Sequence, residues 1–202
     1  GHFGYAATAD TSAEGLQRAF ERAIATTQTT SAYKAHTFTP TQRPASNGSY
    51  QSPRDKALDA TSLAEITDCL RAASAAMKGS DLLVNRSARV MTIQTRLAYF
   101  SSNGAAIEQD FDMVNIDLSA TAAEGLESQT RTWSHTAQMG GEAFDRSRWT
   151  LEAQRVAAEA QELLAAENCP TGVMDLILMP DQMMLQIHES IGHPLELDRI
   201  LG

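Results

Sequence analysis

The spacing of apolar residues predicts a first amphipathic helix near the start of the chain. Its apolar positions recur three or four residues apart, which is the repeat of one face of an α-helix. Residues 11–14, Thr-Ser-Ala-Glu, precede it and have the form of a capping box. We therefore expect a helix to about Thr27, after an opening strand over residues 2–7. The apolar positions are Leu16, Phe20, Ala23 and Ile24.

Two further segments have the same helical period. The second helix is expected to open with a capping box at Ser62–Glu65 and to end near Gly79. The third is alanine-rich and is expected to reach about Asn168, where Cys169-Pro170 ends it. The second helix has Leu63, Ile66, Leu70, Ala73 and Met77 on its apolar face, and the third has Trp149, Ala153, Val156, Ala160 and Leu163.

Between these two helices, apolar and polar residues alternate with period two, which is typical of half-buried strands. The strand region extends from about Asp81 to Ser134, and Asn103-Gly104 within it is a hairpin-turn sequence. A further, buried strand is expected at 173–179. The fold class predicted is α+β, with helices packed on an antiparallel or mixed sheet.

A composition shift suggests the domain organisation. Residues 28–59 are rich in Thr, Ser, Pro, Asn and Gly, which favours an irregular connector. This shift divides the chain into residues 1–28, a linker over 29–59, a central helix-sheet-helix region over 60–168, and residues 169–202. Both ends are expected to be cuts through a larger protein.

The overall composition narrows the classes of function. Apolar residues make up 43% of 202, enough for an ordinary core, and 25 acidic against 16 basic residues give a net charge of -9. That sign disfavours a nucleic-acid partner. No apolar run approaches the roughly 20 residues of a membrane span. Two cysteines without C-x-x-C spacing favour a reducing, cytoplasmic setting.

The segment 188–193, His-Glu-Ser-Ile-Gly-His, contains the candidate chemistry. Zinc peptidases with H-E-x-x-H place two histidines four positions apart on a helix, about 40° apart around its axis. Here His188 and His193 are five apart, roughly 140° on a regular helix. Both could bind one metal only if the helix is distorted between them.

Two residues offer a cause for such a distortion. Gly192 tolerates unusual dihedrals, and Pro194 removes a backbone donor while its ring crowds a carbonyl one turn back. We expect a kink or a one-residue π-type expansion that brings His193 under His188. An apolar stripe of Met184, Ile187, Ile191 and Leu195 predicts that one face of this helix is buried. Glu189 could then hydrogen-bond a metal-bound water and act as its base.

A simpler interpretation stays open for each of these residues. H-E-x-x-x-H is a short pattern, and histidines near a helix end also cap carbonyl groups. His36 is expected to be a solvated loop residue, and His135 a structural or surface residue on the Trp133 face of a strand. Cys69 is expected to be a small buried hydrophobic residue rather than a metal ligand.

Together, Asp175–Pro180 (Asp-Leu-Ile-Leu-Met-Pro) and His188–Glu196 (His-Glu-Ser-Ile-Gly-His-Pro-Leu-Glu) resemble the signature of the TldD/PmbA family of metallopeptidases. The resemblance is to the TldD-like branch, which keeps H-E-x-x-x-H, rather than to the PmbA/TldE branch. Weaker similarity covers Gly4–Thr8 and the strand Tyr99–Gly104.

This resemblance implies a zinc peptidase with His188 and His193 as metal ligands and Glu189 as general base. It implies that residues 1–28 are the end of an N-terminal α/β region. It also implies that residues 169–202 are the start of a β-rich catalytic C-terminal domain, which begins with a strand and the kinked motif helix. It also implies a PmbA/TldE-like partner in a heterodimer that admits unfolded or modified peptides. The family's third ligand is a cysteine further downstream, which neither Cys69 nor Cys169 matches, so this segment alone is expected to bind metal weakly and to be inactive.

Two classes of function therefore remain. One is a peptidase subunit that hydrolyses peptide bonds with metal-activated water. The other is a non-catalytic peptide-binding or assembly subunit with a structural or vestigial metal site, which presents a sheet edge to peptides or to a partner subunit. Only the first requires Glu189.

Overall fold

The computed structural model describes residues 4–33 and 45–201 of the chain. It forms two compact units, Gly1–Ala165 and Ala166–Gly202. The first unit contains the sheet and three helices, and the second contains the histidine motif. His36 lies outside the described residues, so its predicted environment stays a prediction.

A four-stranded mixed sheet forms the centre of the first unit. Its strands are β1 (Asn47–Gln51), β2 (Leu83–Phe100), β3 (Ala106–Glu124) and β4 (Glu127–Gln138). Strand β3 pairs antiparallel with β2 along one edge. Its other edge is shared, because β1 pairs in parallel with 106–110 and β4 pairs antiparallel with 113–124. With helices packed on this sheet, the predicted α+β class is confirmed.

The alternation in β3 determines which face of the sheet is covered. Every second residue from 112 to 122 is buried, and the residues between them are half-exposed. The predicted turn at Asn103-Gly104 joins β2 to β3, and Gly104 has φ +90°, which side chains with a Cβ rarely adopt. A second turn, at Gly125 with φ +61°, joins β3 to β4. The sequence analysis did not identify this second turn.

Three helices belong to this unit: α1 (Ala13–Thr29), α2 (Leu63–Ala76) and α3 (Arg146–Leu164). The capping box predicted before α2 is confirmed, since Ser62 and Glu65 bond each other's backbone N–H. The cap of α1 is one residue later than expected, because the hydroxyl of Ser12 accepts the N–H of Gly15. Helix α3 ends at Leu164, four residues before the predicted end.

Helix α3 packs on the buried face of β3, and α2 packs on α3 and β2, so the two helices close the hydrophobic core. Met77, Trp149 and Val156 are fully buried there together with Leu118 of β3. The indole N–H of Trp149 donates to the carbonyl of Ala143 at 2.9 Å. Each such side chain contributes about 1.5–3 kcal/mol on leaving water, so this face holds the unit together.

The segment before α2 is more ordered than its composition suggested. It contains β1 and a 3-10 turn at Leu58–Ala60, so the prediction of an irregular connector over 28–59 was wrong for these residues. Short polar strands such as Asn-Gly-Ser-Tyr-Gln lack the apolar alternation that reveals a strand. Here the parallel pairing with β3 forms the strand.

A buried ion pair links the segment that precedes α2 to the sheet. The carboxylate of Asp112 is fully buried and accepts from the guanidinium of Arg54 and from Gln94 at 3.1 Å. Arg54 also pairs with Asp110 at 3.1 Å, and the proximity of Asp112 raises the pKa of Arg54. The backbone N–H of Asp112 donates to Ser52 at 3.2 Å. The chain after β1 is thus bound to β3 by charge-assisted hydrogen bonds.

Two predicted strands are not observed in the described residues. Residues 4–8 are irregular and lie against α1, where a guanidinium N–H of Arg22 donates to the carbonyl of Ala7 at 3.1 Å. Residues 173–179, expected to be a buried strand, are irregular and exposed. A strand requires a neighbour for its backbone groups, and 173–179 pairs with no described strand.

The second unit is a broken helix. After the irregular residues 166–179, it contains α4 (Pro180–Ile187), a π-helical turn (His188–Gly192), a 3-10 turn (His193–Leu195) and α5 (Leu197–Leu201). Across the described part of the chain, we find no helix with the length and apolar character needed to cross a membrane.

Candidate metal centre

Helix α4 leads directly into the histidine motif. It begins at Pro180, where a missing N–H costs nothing because the first helical donors have no partner inside the helix. The apolar stripe predicted to be buried is exposed in this structure, since Met184 is 69% and Ile191 54% exposed. The prediction that this helix packs one face on a core was therefore wrong for the chain as described.

The helix expands by one residue between the two histidines. Residues His188–Gly192 form a π turn, and the backbone N–H of His193 donates to the carbonyl of His188, five residues back. The imidazole rings of His188 and His193 consequently lie edge to face, with centroids 4.4 Å apart and planes at 80°. The predicted π-type expansion is confirmed.

The expansion does not arise from unusual dihedrals at Gly192. Its φ of -59° and ψ of -61° lie in the ordinary right-handed region, so that part of the prediction was wrong. Pro194 has no N–H, so it cannot continue the ladder of helical hydrogen bonds. The chain passes into a 3-10 turn at His193 and leaves the helix at Glu196, whose ψ is 134°.

Glu189 completes a cluster of three potential ligands. One donor atom from each of His188, Glu189 and His193 lies within 4.8 Å of the other two. The carboxylate Oε2 of Glu189 is 3.9 Å from Nε2 of His193. Both histidines and the glutamate are at least partly exposed, so the cluster is open to water and to an incoming molecule.

The other nitrogen of His193 is also engaged. Its Nδ1 is 2.7 Å from Oε1 of Glu196, and Oε2 of Glu196 is 3.3 Å from Nε of Arg199. Across the expanded turn, the amide N–H of Gln186 donates to the hydroxyl of Ser190 at 2.6 Å. The motif is therefore held by side-chain hydrogen bonds before and after the histidines.

The donor set is suited to a zinc ion. Two imidazoles and a carboxylate are ordinary zinc ligands, and atoms bound at about 2.0–2.2 Å lie at most roughly 4.4 Å apart. Here the donor atoms lie within 4.8 Å of one another, slightly beyond that limit, so the side chains would move closer together around a bound ion. A hydrogen bond at Nδ1 of His193 leaves Nε2 on the side of the cluster, which is the usual arrangement of a metal-binding histidine.

The remaining histidine and cysteine candidates lie outside this cluster. His135 stacks on Trp133 with ring centroids 5.9 Å apart, as expected of a structural residue. Cys69 is buried, its thiol donates to the carbonyl of Phe144 at 3.4 Å, and burial raises the pKa of the thiol. Cys169 is exposed. Among the described residues, neither cysteine joins the metal-ligand group.

Neither Glu196 nor the Gln186–Ser190 bond is among the site features that the sequence predicted. The three-residue spacing of Glu196 from His193 is not a specific signal, because their contact depends on where the helix ends. The bond between Gln186 and Ser190 has the ordinary i, i+4 spacing of a helix face, which does not by itself distinguish a structural contact.

Comparison with known proteins adds an independent observation. Residues 56–166, more than half of the chain, match the family model described as the PmbA/TldA metallopeptidase central domain. The matched range comprises most of the first unit and does not include His188 or His193. The candidate metal site is therefore inferred from its geometry and not from this match.

A protein named as a metalloprotease from Methanothermobacter thermautotrophicus is 29% identical over 121 residues. That alignment covers 60% of this chain and 27% of the relative, so the matched part spans about a quarter of the relative's length. The match over more than half of the chain establishes the assignment: this chain belongs to the PmbA/TldD family of metallopeptidases.

Proposed function

We propose that this segment comes from a zinc-dependent peptidase of the TldD-like branch, which hydrolyses peptide bonds in unfolded or modified peptides. The observation that carries the proposal is the π turn, because it brings His188, Glu189 and His193 within 4.8 Å of one another. Membership of a metallopeptidase family supports the same reaction class. In this proposal His188 and His193 hold the metal and Glu189 is the general base.

Each side chain has a distinct role in the proposed reaction. When bound, zinc supplies Lewis acidity, which polarises a carbonyl group and lowers the pKa of water. Glu189 follows His188 directly in the chain and has a partly exposed carboxylate. It takes a proton from the attacking water and passes that proton to the amine that leaves. The openness of the cluster allows an extended peptide to approach.

The metal requires a further protein ligand in this proposal. Catalytic zinc sites use three protein ligands, and a glutamate that acts as base is not one of them. We propose a cysteine from another part of the whole protein as the third ligand. A PmbA/TldE-like partner subunit, a heterodimeric assembly and a cytoplasmic location belong to the same proposal.

A second candidate function is supported by the first unit. Among the described strands, β2 pairs with β3 alone, and Met91, Leu97 and Tyr99 on this strand are each about half exposed. An exposed edge of this kind can accept an extended peptide or a partner's strand. A binding or assembly subunit would use that edge and would not require Glu189.

The test compares three forms of the full-length protein with any co-purified partner: wild type, Glu189→Gln and Glu162→Gln. Glu162 is an exposed glutamate of α3 and controls for the loss of one surface charge. Each form is incubated with a long unstructured peptide and the products are identified by mass spectrometry. Bound zinc is measured in parallel.

We expect cleavage by wild type and Glu162→Gln, and loss of cleavage with zinc retained in Glu189→Gln. Unchanged cleavage in Glu189→Gln would refute its role as base. Absence of cleavage in all three forms, with zinc bound, would favour the binding subunit.

A further inference from the structure

His193 lies between two carboxylates, one near each ring nitrogen. Nε2 is 3.9 Å from Oε2 of Glu189, and Nδ1 is 2.7 Å from Oε1 of Glu196. The first distance is too long for a hydrogen bond, while the second is within hydrogen-bond range. The two nitrogens are thus distinguished by their surroundings before any metal is considered.

The backbone positions Glu196 at the point where the helix breaks. Its N–H donates to the carbonyl of His193 at 3.2 Å, closing the 3-10 turn that contains Pro194. Its own carbonyl accepts from Arg199 at 3.0 Å and Ile200 at 3.1 Å, which starts α5. Because both backbone groups of Glu196 are bonded, little backbone freedom remains to be lost when its side chain meets His193.

Arg199 engages the second oxygen of the same carboxylate. Its Nε is 3.3 Å from Oε2 of Glu196, one turn along α5. With Oε2 directed to Arg199, Oε1 is directed to the imidazole of His193. Arg199, Glu196 and His193 therefore form a chain of contacts that ends at the cluster with Glu189.

The chemistry of these contacts determines which nitrogen of His193 carries the hydrogen. An ionised carboxylate only accepts hydrogen bonds, so Nδ1 must be the donor. In a neutral imidazole Nε2 then has the free lone pair, and Nε2 is the nitrogen on the side of Glu189. A metal ligand requires that lone pair.

We propose that Glu196 is a positioning residue that holds His193 as the Nδ1–H tautomer and directs Nε2 to the metal, with Arg199 orienting Glu196. The metal part of this inference rests on the proposed function. The tautomer part does not, because it concerns the protein without metal. One measurement therefore tests the tautomer, and a second tests metal binding.

The first measurement is the tautomer of His193 in the metal-free, ¹⁵N-labelled full-length protein, by long-range proton–nitrogen NMR. It is made near pH 8.5, well above the ordinary imidazole pKa of about 6.5. We expect the Nδ1–H form in wild type and in Glu196→Gln, whose amide oxygen still accepts. Glu196→Ala is expected to give a mixture of tautomers. Asp198→Ala removes an equal charge two residues away and is expected to behave as wild type.

The second measurement is zinc affinity by calorimetric titration of the same proteins. Loss of an orienting partner typically weakens metal binding about 10–100-fold, which we expect for Glu196→Ala, with a smaller loss for Arg199→Ala. If Glu196→Ala keeps both the Nδ1–H tautomer and the zinc affinity, the inference is wrong. A tautomer change in Asp198→Ala as well would also overturn it, since the effect would then be general disruption. If the tautomer follows Glu196 but wild type binds no zinc, the tautomer assignment holds and the proposed function fails.

Discussion

Removal of either partner of the Arg54–Asp112 pair tests how the segment before α2 is attached to the sheet. In Arg54→Ala, the fully buried carboxylate of Asp112 keeps only Gln94 and loses its cation. Removing one partner of a buried pair typically costs about 3–5 kcal/mol. In Asp112→Ala, the guanidinium is 18% exposed and still pairs with Asp110, so we expect a smaller cost of about 2–3 kcal/mol.

The double variant distinguishes a coupled pair from two independent contributions. With both charged side chains removed, neither is left unpaired. The loss in free energy of unfolding of the double variant is therefore expected to be about 1–3 kcal/mol smaller than the sum of the two single losses. The assay is urea denaturation of wild type, both single variants and the double variant at pH 7. Losses that simply add, or a larger loss in Asp112→Ala than in Arg54→Ala, would contradict this account of the buried pair.

Two further predictions concern the same region. Gly140→Ala is expected to destabilise the fold by about 1–3 kcal/mol in urea denaturation, because its Cβ would overlap the carbonyl oxygen of Lys56. Gly79→Ala, whose Cβ would meet nothing within 4 Å, is expected to be nearly neutral in the same assay, and equal losses in the two variants would contradict this account. Lys56 lowers the pKa of Glu65 to about 2, together with hydrogen bonds from Ser62. Since this folded pKa lies below the usual 4.5, the stabilisation is complete above about pH 4.5 and is lost as pH falls towards 2. A carboxyl NMR titration should show the pKa of Glu65 rising in Lys56→Ala, and an unchanged value would refute the assignment.

Local sequence signals predicted those elements whose side chains alternate or repeat clearly. The alternation in β3 and the capping box at Ser62 identified a strand and a helix start because burial and hydrogen bonding act there over few residues. Strand β1 was missed because its pairing with β3 is between residues distant in the chain. Residues 173–179 show the converse, since an apolar composition does not make a strand without a described neighbour to pair with.

For the candidate site, the sequence likewise predicted some features and missed others. If His188 and His193 bind one metal, their five-residue spacing requires a distorted helix, and of the two predicted distortions, a kink or a π-type expansion, the structure has the expansion. The cause assigned to Gly192 was wrong, because a π turn can be built from ordinary helical dihedrals. Glu196 was missed because its contact depends on the direction of the chain after the helix breaks, which the spacing of residues does not specify.

Because of the π turn, the number of residues between two side chains on this helix does not by itself give the angle between them around the helix axis. One additional residue in a regular helix rotates everything after it by about 100°. Here the π turn, with its i to i-5 hydrogen bonding, absorbs that residue, so that His193 returns to the face of His188. A helix with four-residue spacing and this one could therefore present the same pair of imidazoles while differing by one inserted residue. Ligand spacing in such helices is a property of the hydrogen-bond register, and insertions between ligands need not abolish a metal site.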